Sequence, residues 1–113
     1  MGADISSFQC IPMAVFNTGT LTGTYQALNT GGFGDDIKML KIYNAGTQGV
    51  TVSYGGVNDE DYYPPNSTFV FDIQANHANT SSFGSGTLNG RKGQIIYGKG
   101  TAGVGNLYII GFR

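Results

Sequence analysis

The chain has 113 residues, enough for one domain around one core. Only 12% of them are charged, the net charge is −1, and the six Lys and Arg residues are scattered, which excludes a phosphate-tracking basic stripe and with it a nucleic-acid partner. Seven Tyr and seven Phe in so weakly charged a chain also exclude a disordered polyelectrolyte.

A charged fraction about half the usual one has two explanations. Either neighbours in an assembly cover much of the surface, or the chain is a Gly- and Thr-rich monomer. Cys10 is the single cysteine, so an internal disulfide is impossible, and it reads as a small buried hydrophobe rather than a catalytic thiol. No stretch reaches the roughly 18 apolar residues of a membrane helix. The N-terminus lacks the basic start and apolar core of a signal peptide, so folding in a cytoplasm is expected. Met1-Gly2-Ala3-Asp4-Ile5-Ser6 fits the loose myristoylation pattern, but no basic patch supplies the second membrane signal such an anchor needs.

In residues 1–12 the apolar side chains are Ile5, Phe8 and Ile11, three apart. They form either a helical turn or an irregular arm, and Pro12 ends any helix there. An arm would pack on a neighbouring subunit; a lead-in would fold over its own sheet. Residues 13–16 read as a first strand and 17–20 as a turn. Residues 21–28 read as a Thr-rich strand with a bulge or close approach at Gly23. Residues 29–36 form a loop in which Gly31, Gly32 and Gly34 allow positive φ.

The organising stretch follows. Ile37-Lys38-Met39-Leu40-Lys41-Ile42-Tyr43 and Val50-Thr51-Val52-Ser53-Tyr54 are apolar runs separated by Asn44-Ala45-Gly46-Thr47-Gln48-Gly49, which predicts a hairpin. In the first run Ile37 and Met39 share one face while Leu40 and Ile42 share the other, so either both faces are covered or a bulge re-phases the strand. In the second, Val50, Val52 and Tyr54 point in, and Thr51 and Ser53 point out. After an acidic loop, residues 68–73 form a strand with Phe69, Phe71 and Ile73 in, and Val70 and Asp72 out. Residues 74–92 are a long polar loop whose one aromatic is Phe83. A last hairpin is expected from 94–97 through a glycine-rich turn to 106–112. Its final strand is apolar at successive positions, which predicts a central place with cover on both faces. The sum is an all-β chain: a single β-sandwich or small barrel of about six to eight short antiparallel strands, with residues 1–12 as its N-terminal arm.

Motifs of chemistry fail on context. Gly98-x-Gly100-x-x-Gly103 matches the dinucleotide fingerprint, yet a strand follows where a helix must hold the pyrophosphate. Gly93 to Lys99 approaches a P-loop but has Gly100 where a magnesium-binding hydroxyl is required. Asp59-Glu60-Asp61 lacks the spacing of a calcium loop and reads as solvated. His77, the one histidine, lacks partners for zinc. No cofactor, no metal and no catalytic residue is expected. Tyr62-Tyr63-Pro64-Pro65 offers either a binding platform for a sugar or partner, or tyrosines that close the end of the sandwich.

Residues 44–76 resemble small β-sandwich proteins of tailed-bacteriophage virions. The resemblance runs through Val50-Thr51-Val52-Ser53-Tyr54, Gly56, Asp59, Asp61, Tyr63-Pro64, Asp72 and Asn76, with Gly55 standing where the pattern has Asp. The turn at Gly98-Lys99-Gly100 and the run Gly105-Asn106-Leu107-Tyr108 resemble the closing hairpin of such proteins. The resemblance spans about two thirds of the chain and implies a non-enzymatic virion part: a capsid decoration or cement protein, or a collar, adaptor or tail accessory. Its partners would be other copies of itself and virion proteins such as the major capsid protein or neighbouring tail proteins. No nucleic acid or membrane is among them. It would be assembled in the host cytoplasm. The expected contact residues are Ile5, Phe8, Tyr62, Tyr63 and Phe83. The rival expectation is a carbohydrate- or receptor-binding module on the same sandwich, built on Tyr62, Tyr63 and nearby carboxylates.

Overall fold

The computed structural model describes residues 9–73 and 88–113. The chain is all-β and forms a sandwich of two four-stranded antiparallel sheets. Its strands are β1 (Ala14–Asn17), β2 (Gln26–Ala27), β3 (Met39–Asn44), β4 (Val50–Ser53), β5 (Asp61–Tyr63), β6 (Ser67–Asp72), β7 (Tyr97–Lys99) and β8 (Asn106–Phe112). The first sheet has the order β1-β8-β3-β6 and the second β2-β7-β4-β5.

β-branched and aromatic residues dominate the long strands, and period-two burial follows. Leu40, Ile42 and Asn44 of β3 are buried while Lys41 and Tyr43 are exposed. In β8, Leu107, Ile109 and Gly111 are buried between half-buried neighbours. These inner faces meet Val50, Val52 and Tyr63 of the second sheet, with Leu21, Leu28, Phe33, Ile37, Ile73 and Ile96 closing the sides of the core. The Tyr63 ring bridges the layers, its centroid 5.2 Å from that of Phe69 in β6.

Among these strands only β4 and β5 are joined directly within one sheet; every other connection changes sheets. Both predicted hairpins are corrected by this. β3 pairs with β6 and β8, not with β4. β7 pairs with β2 and β4, not with β8. The reason at the first site is Asn44, which is fully buried. Its side-chain amide donates to the Gln48 and Tyr63 carbonyls at 3.0 and 2.9 Å and accepts from the Gly46 N–H at 2.9 Å. Those bonds tie the end of β3 to the second sheet, so the five-residue break carries the chain across the core. Asn29 does the same for the segment before β7, accepting from the Ile96 N–H at 2.7 Å and donating to the Gln94 carbonyl at 3.1 Å.

Other expectations resolve locally. The phase slip lies where β3 begins: the Lys38 N–H donates to the carbonyl of Phe112, the residue that Met39 faces, so two residues oppose one as in a bulge. β3 starts at Met39, and Ile37 is buried ahead of it, its N–H donating to the Gly90 carbonyl. The predicted strand at 21–28 shrinks to Gln26–Ala27, because residues 18–20 form a 3-10 turn capped by the Asn17 side chain. β5 occupies residues read as the end of the acidic loop. Ser53, expected to point out, is buried beneath that loop and bonds Glu60. Cys10 is exposed rather than buried, in a bridge beside Phe112. Residues 9–12 run along the C-terminal end of β8 and not as a helix: Ile11 donates to the Gly111 carbonyl at 3.0 Å and Arg113 to the Gln9 carbonyl at 2.9 Å. This part of the predicted arm is therefore a lead-in on its own sheet; Ile5 and Phe8 lie outside the described residues.

Candidate functional site

The outer face of the first sheet is the broadest apolar surface that the strand register builds. Side chains alternate across a pleated strand, so the residues between the core positions of β1, β8, β3 and β6 share this face. The register lines up Val15, Tyr108, Tyr43 and Thr68 in one row across all four strands. The next row holds Ile110, Lys41 and Val70. Tyr43 and Tyr108 stack, with ring centroids 6.0 Å apart and planes 15° from parallel. Val15 remains 52% exposed and Val70 60%, with Met13 and Tyr43 exposed beside them. A half-exposed face of Val, Ile, Met and Tyr with one lysine is unusual for a monomer surface and usual for a buried contact.

The successive apolar positions of β8 are the sequence signal for this face. The sequence predicts cover on both sides of a central strand. β8 is indeed central, but its outer side, unlike its inner one, stays in contact with solvent. Tyr43, Tyr108 and Val15 are not among the expected contact residues, because each lies within an apolar run that carries no local sign of which face stays in water.

The expected contact residues fare differently. Tyr62 is half exposed and lies against Gly49, whose missing side chain makes room for the ring. Tyr63 is wholly buried, so it has no surface to offer a partner, and the paired-tyrosine platform reduces to one ring. The Tyr63 hydroxyl lies 2.8 Å from that of Tyr54, which also bonds an Asp61 carboxylate oxygen at 2.8 Å. Burial pushes the phenols of both Tyr54 and Tyr63 well above the ordinary tyrosine range. Ile5, Phe8 and Phe83 lie outside the described residues, as does His77.

The acidic segment is organised rather than simply solvated. Glu60 accepts from the Ser53 hydroxyl and from the N–H groups of Tyr54 and Gly55. Asp59 accepts from the Tyr25 hydroxyl and pairs with Lys99 at 3.0 Å, while the Lys99 ammonium sits 4.7 Å above the Tyr25 ring. The Tyr25 hydroxyl, and then Lys99, hold the Asp59 carboxyl below its usual range. At the end of the first sheet Arg113 pairs with Asp35 and holds that carboxyl low too. Beside this pair is an open cleft of about 460 Å³ lined by Asp36, Lys38, Arg91 and Arg113 among others. Its charges are of both signs, and Asp36 accepts from the Lys92 N–H. Among the described residues no three His, Cys, Asp or Glu side chains gather as a metal site, and no helix is long and apolar enough to cross a membrane.

Compared with known proteins, the chain matches no family model, no curated protein and no solved structure.

Proposed function

We propose that this chain is a non-enzymatic structural component of a tailed-phage virion, a capsid decoration or cement protein or a head–tail or collar accessory, that works through subunit interfaces. The observation that carries this reading is the apolar outer face of the first sheet, with Val15, Tyr43, Tyr108 and Val70 in two adjoining rows. Covering such a face stabilises an assembly by roughly 25 cal/mol for each Å² of apolar surface removed from water. Tyrosines contribute flat area at low entropic cost, as interface cores favour. The low charge of the chain and the resemblance of residues 44–76 to small virion β-sandwich proteins support the same reading. The partners are further copies of the chain and neighbouring virion proteins such as the major capsid protein, in particles assembled in the host cytoplasm. Ile5, Phe8 and Phe83 remain contact residues in this proposal.

Light scattering over a wide concentration range, with co-sedimentation on capsids lacking this protein, tests it. A closed ring or capsid-bound protein is the expected result. A chain that neither self-associates nor binds capsids overturns the reading. Alanine at both Ile5 and Phe8 is expected to abolish assembly and leave a folded monomer; intact assembly would remove the arm from the proposal.

Exposure of Tyr62 beside the carboxylate-rich segment favours a second reading, a carbohydrate- or receptor-binding module. Glycan-array hits that disappear in Tyr62→Ala would favour it over the first, and an array with no hits would dispose of it.

A further inference from the structure

β6 ends the first sheet, with β3 as its one neighbour among the described strands. Antiparallel pairs alternate between those that exchange two backbone bonds and those that exchange none. The Ile73 N–H donates to the Lys38 carbonyl at 2.9 Å, one step beyond the Met39–Asp72 pair. The bonded residues of β6 are therefore Phe71, Phe69 and Ser67, opposite Leu40, Ile42 and Asn44. Thr68 and Val70 fall in the other class, so their N–H and C=O groups aim away from β3, to the side where no other described strand lies. The side chains of Thr68, Val70 and Asp72 are exposed.

Sheet edges are usually blunted by shortness, charge or proline. The other edges of this sandwich follow that rule. β2 has two residues, β5 has three and begins with an acid, and β1 has four, two places after Pro12. β6 has six residues with no Lys, Pro or Gly within it, and its one charge is at the far end. Among the described strands it is the longest at an edge, and unlike the segment leading into β1 it has no proline within it.

We infer that β6 pairs antiparallel with β6 of a second copy about a two-fold axis through Val70. This rests on the reading of the chain as a self-associating structural protein and names the edge it uses. The sequence of the edge suits itself as partner. With Val70 opposite the partner's Val70, Thr68 falls opposite the partner's Asp72. In this register the single carboxylates of the two strands do not face each other, so like charges directly opposite are avoided. Two valines at the centre exchange a pair of backbone bonds and bring β-branched side chains together on one face. A shift by two residues instead sets each carboxylate against a valine. The paired sheets form one continuous sheet of eight strands. Its outer face joins the apolar rows of both copies, so edge and face form a single surface.

The test uses the full chain. Val70→Pro removes one outward N–H that makes no bond to β3, and edge strands tolerate proline at such a position. Val70→Lys places a charge at the centre of the pairing, and Val104→Lys, at an exposed position in the turn before β8, serves as control. Sedimentation equilibrium up to millimolar concentration is expected to show dimers or multiples of dimers for wild type and for Val104→Lys. Both Val70 variants should dissociate at least tenfold more readily, with unchanged circular dichroism. Should proline disturb the fold, Val70→Lys and a crosslink decide the matter. In a Cys10→Ser, Val70→Cys chain the two Cα atoms are about 5.5 Å apart in a bonded pair, within disulfide reach, and mild oxidation should give a covalent dimer. An assembled wild type whose Val70 variants keep its mass and whose cysteine variant does not crosslink overturns the β6 pairing, yet leaves the structural-component reading standing. A wild type that is monomeric throughout but binds capsids overturns self-pairing. If Val70→Lys then also abolishes capsid binding, the edge belongs to a different protein.

Discussion

Asn44 carries more of the architecture than its size suggests. Its amide bonds three backbone groups on two elements, and no water is needed to complete them. Asn44→Ala leaves those groups buried without partners, which is expected to cost about 2–4 kcal/mol in denaturant unfolding. Asn44→Asp keeps the shape but turns the donor that faces two carbonyls into an acceptor, so it should cost at least as much at pH 7. If the Asp variant is as stable as wild type, Asn44 is not what turns the chain.

Titration acts at the same scale, and its sign differs between groups. Tyr54 and Tyr63 have folded pKa values above the unfolded value of about 10. Their neutral form therefore stabilises the fold fully below about pH 10, and that contribution is lost as pH rises above it. Absorbance at 295 nm should show these two phenols ionising together with loss of near-UV circular dichroism, after the exposed tyrosines have titrated. Ionisation of all seven before any unfolding would contradict their burial. Asp35 and Asp59 are shifted the other way, so what they contribute stands above the ordinary carboxylate range and fades in acid.

At the scale of elements, β7 shows how close packing selects a glycine. Gly98 lies in the middle of β7, and a Cβ there would stand 2.8–2.9 Å from side-chain atoms of Leu28 and Val50. The sequence reads Gly98 as the start of a turn, since glycine is the usual turn residue. It is instead the place where a strand runs against the core with no room for a side chain. Gly98→Ala is expected to lower stability by about 1–3 kcal/mol through overpacking, measured by denaturant unfolding. A neutral result would show that Leu28 and Val50 adjust freely.

For the whole molecule, the chain builds two sheets and covers one face of each. The inner faces make the core, and the outer face of the first sheet keeps apolar residues in water. Replacing Val15, Tyr43 and Val70 together by Ser, Thr and Thr should leave the unfolding free energy within about 1 kcal/mol, since none is in the core. The same variant should reduce self-association or capsid binding by at least tenfold. Unchanged association would place the working surface elsewhere.

The sequence by itself determined the class and most strands of this protein. Period-two burial is a local property, so the apolar runs at 37–43, 68–73 and 106–112 foretell the strands found within one or two residues of them, and the inward place of Phe69 and Phe71 follows from alternation alone. The central place of β8 was legible too, from apolar residues at consecutive positions. Pairing was not legible, because a glycine-rich break of five residues serves a hairpin or a crossing between sheets equally well. The buried amides of Asn44 and Asn29 decide between them, and three of their partners, Tyr63, Gln94 and Ile96, lie far off in sequence, where no local pattern records them. The division of Tyr62 from Tyr63 needed β5, which places adjacent residues on opposite faces. The candidate surface depended on the tertiary structure for the same reason. An apolar side chain in a strand specifies burial against something, and only the assembled sandwich tells which apolar residues have found a partner within the chain and which still face water.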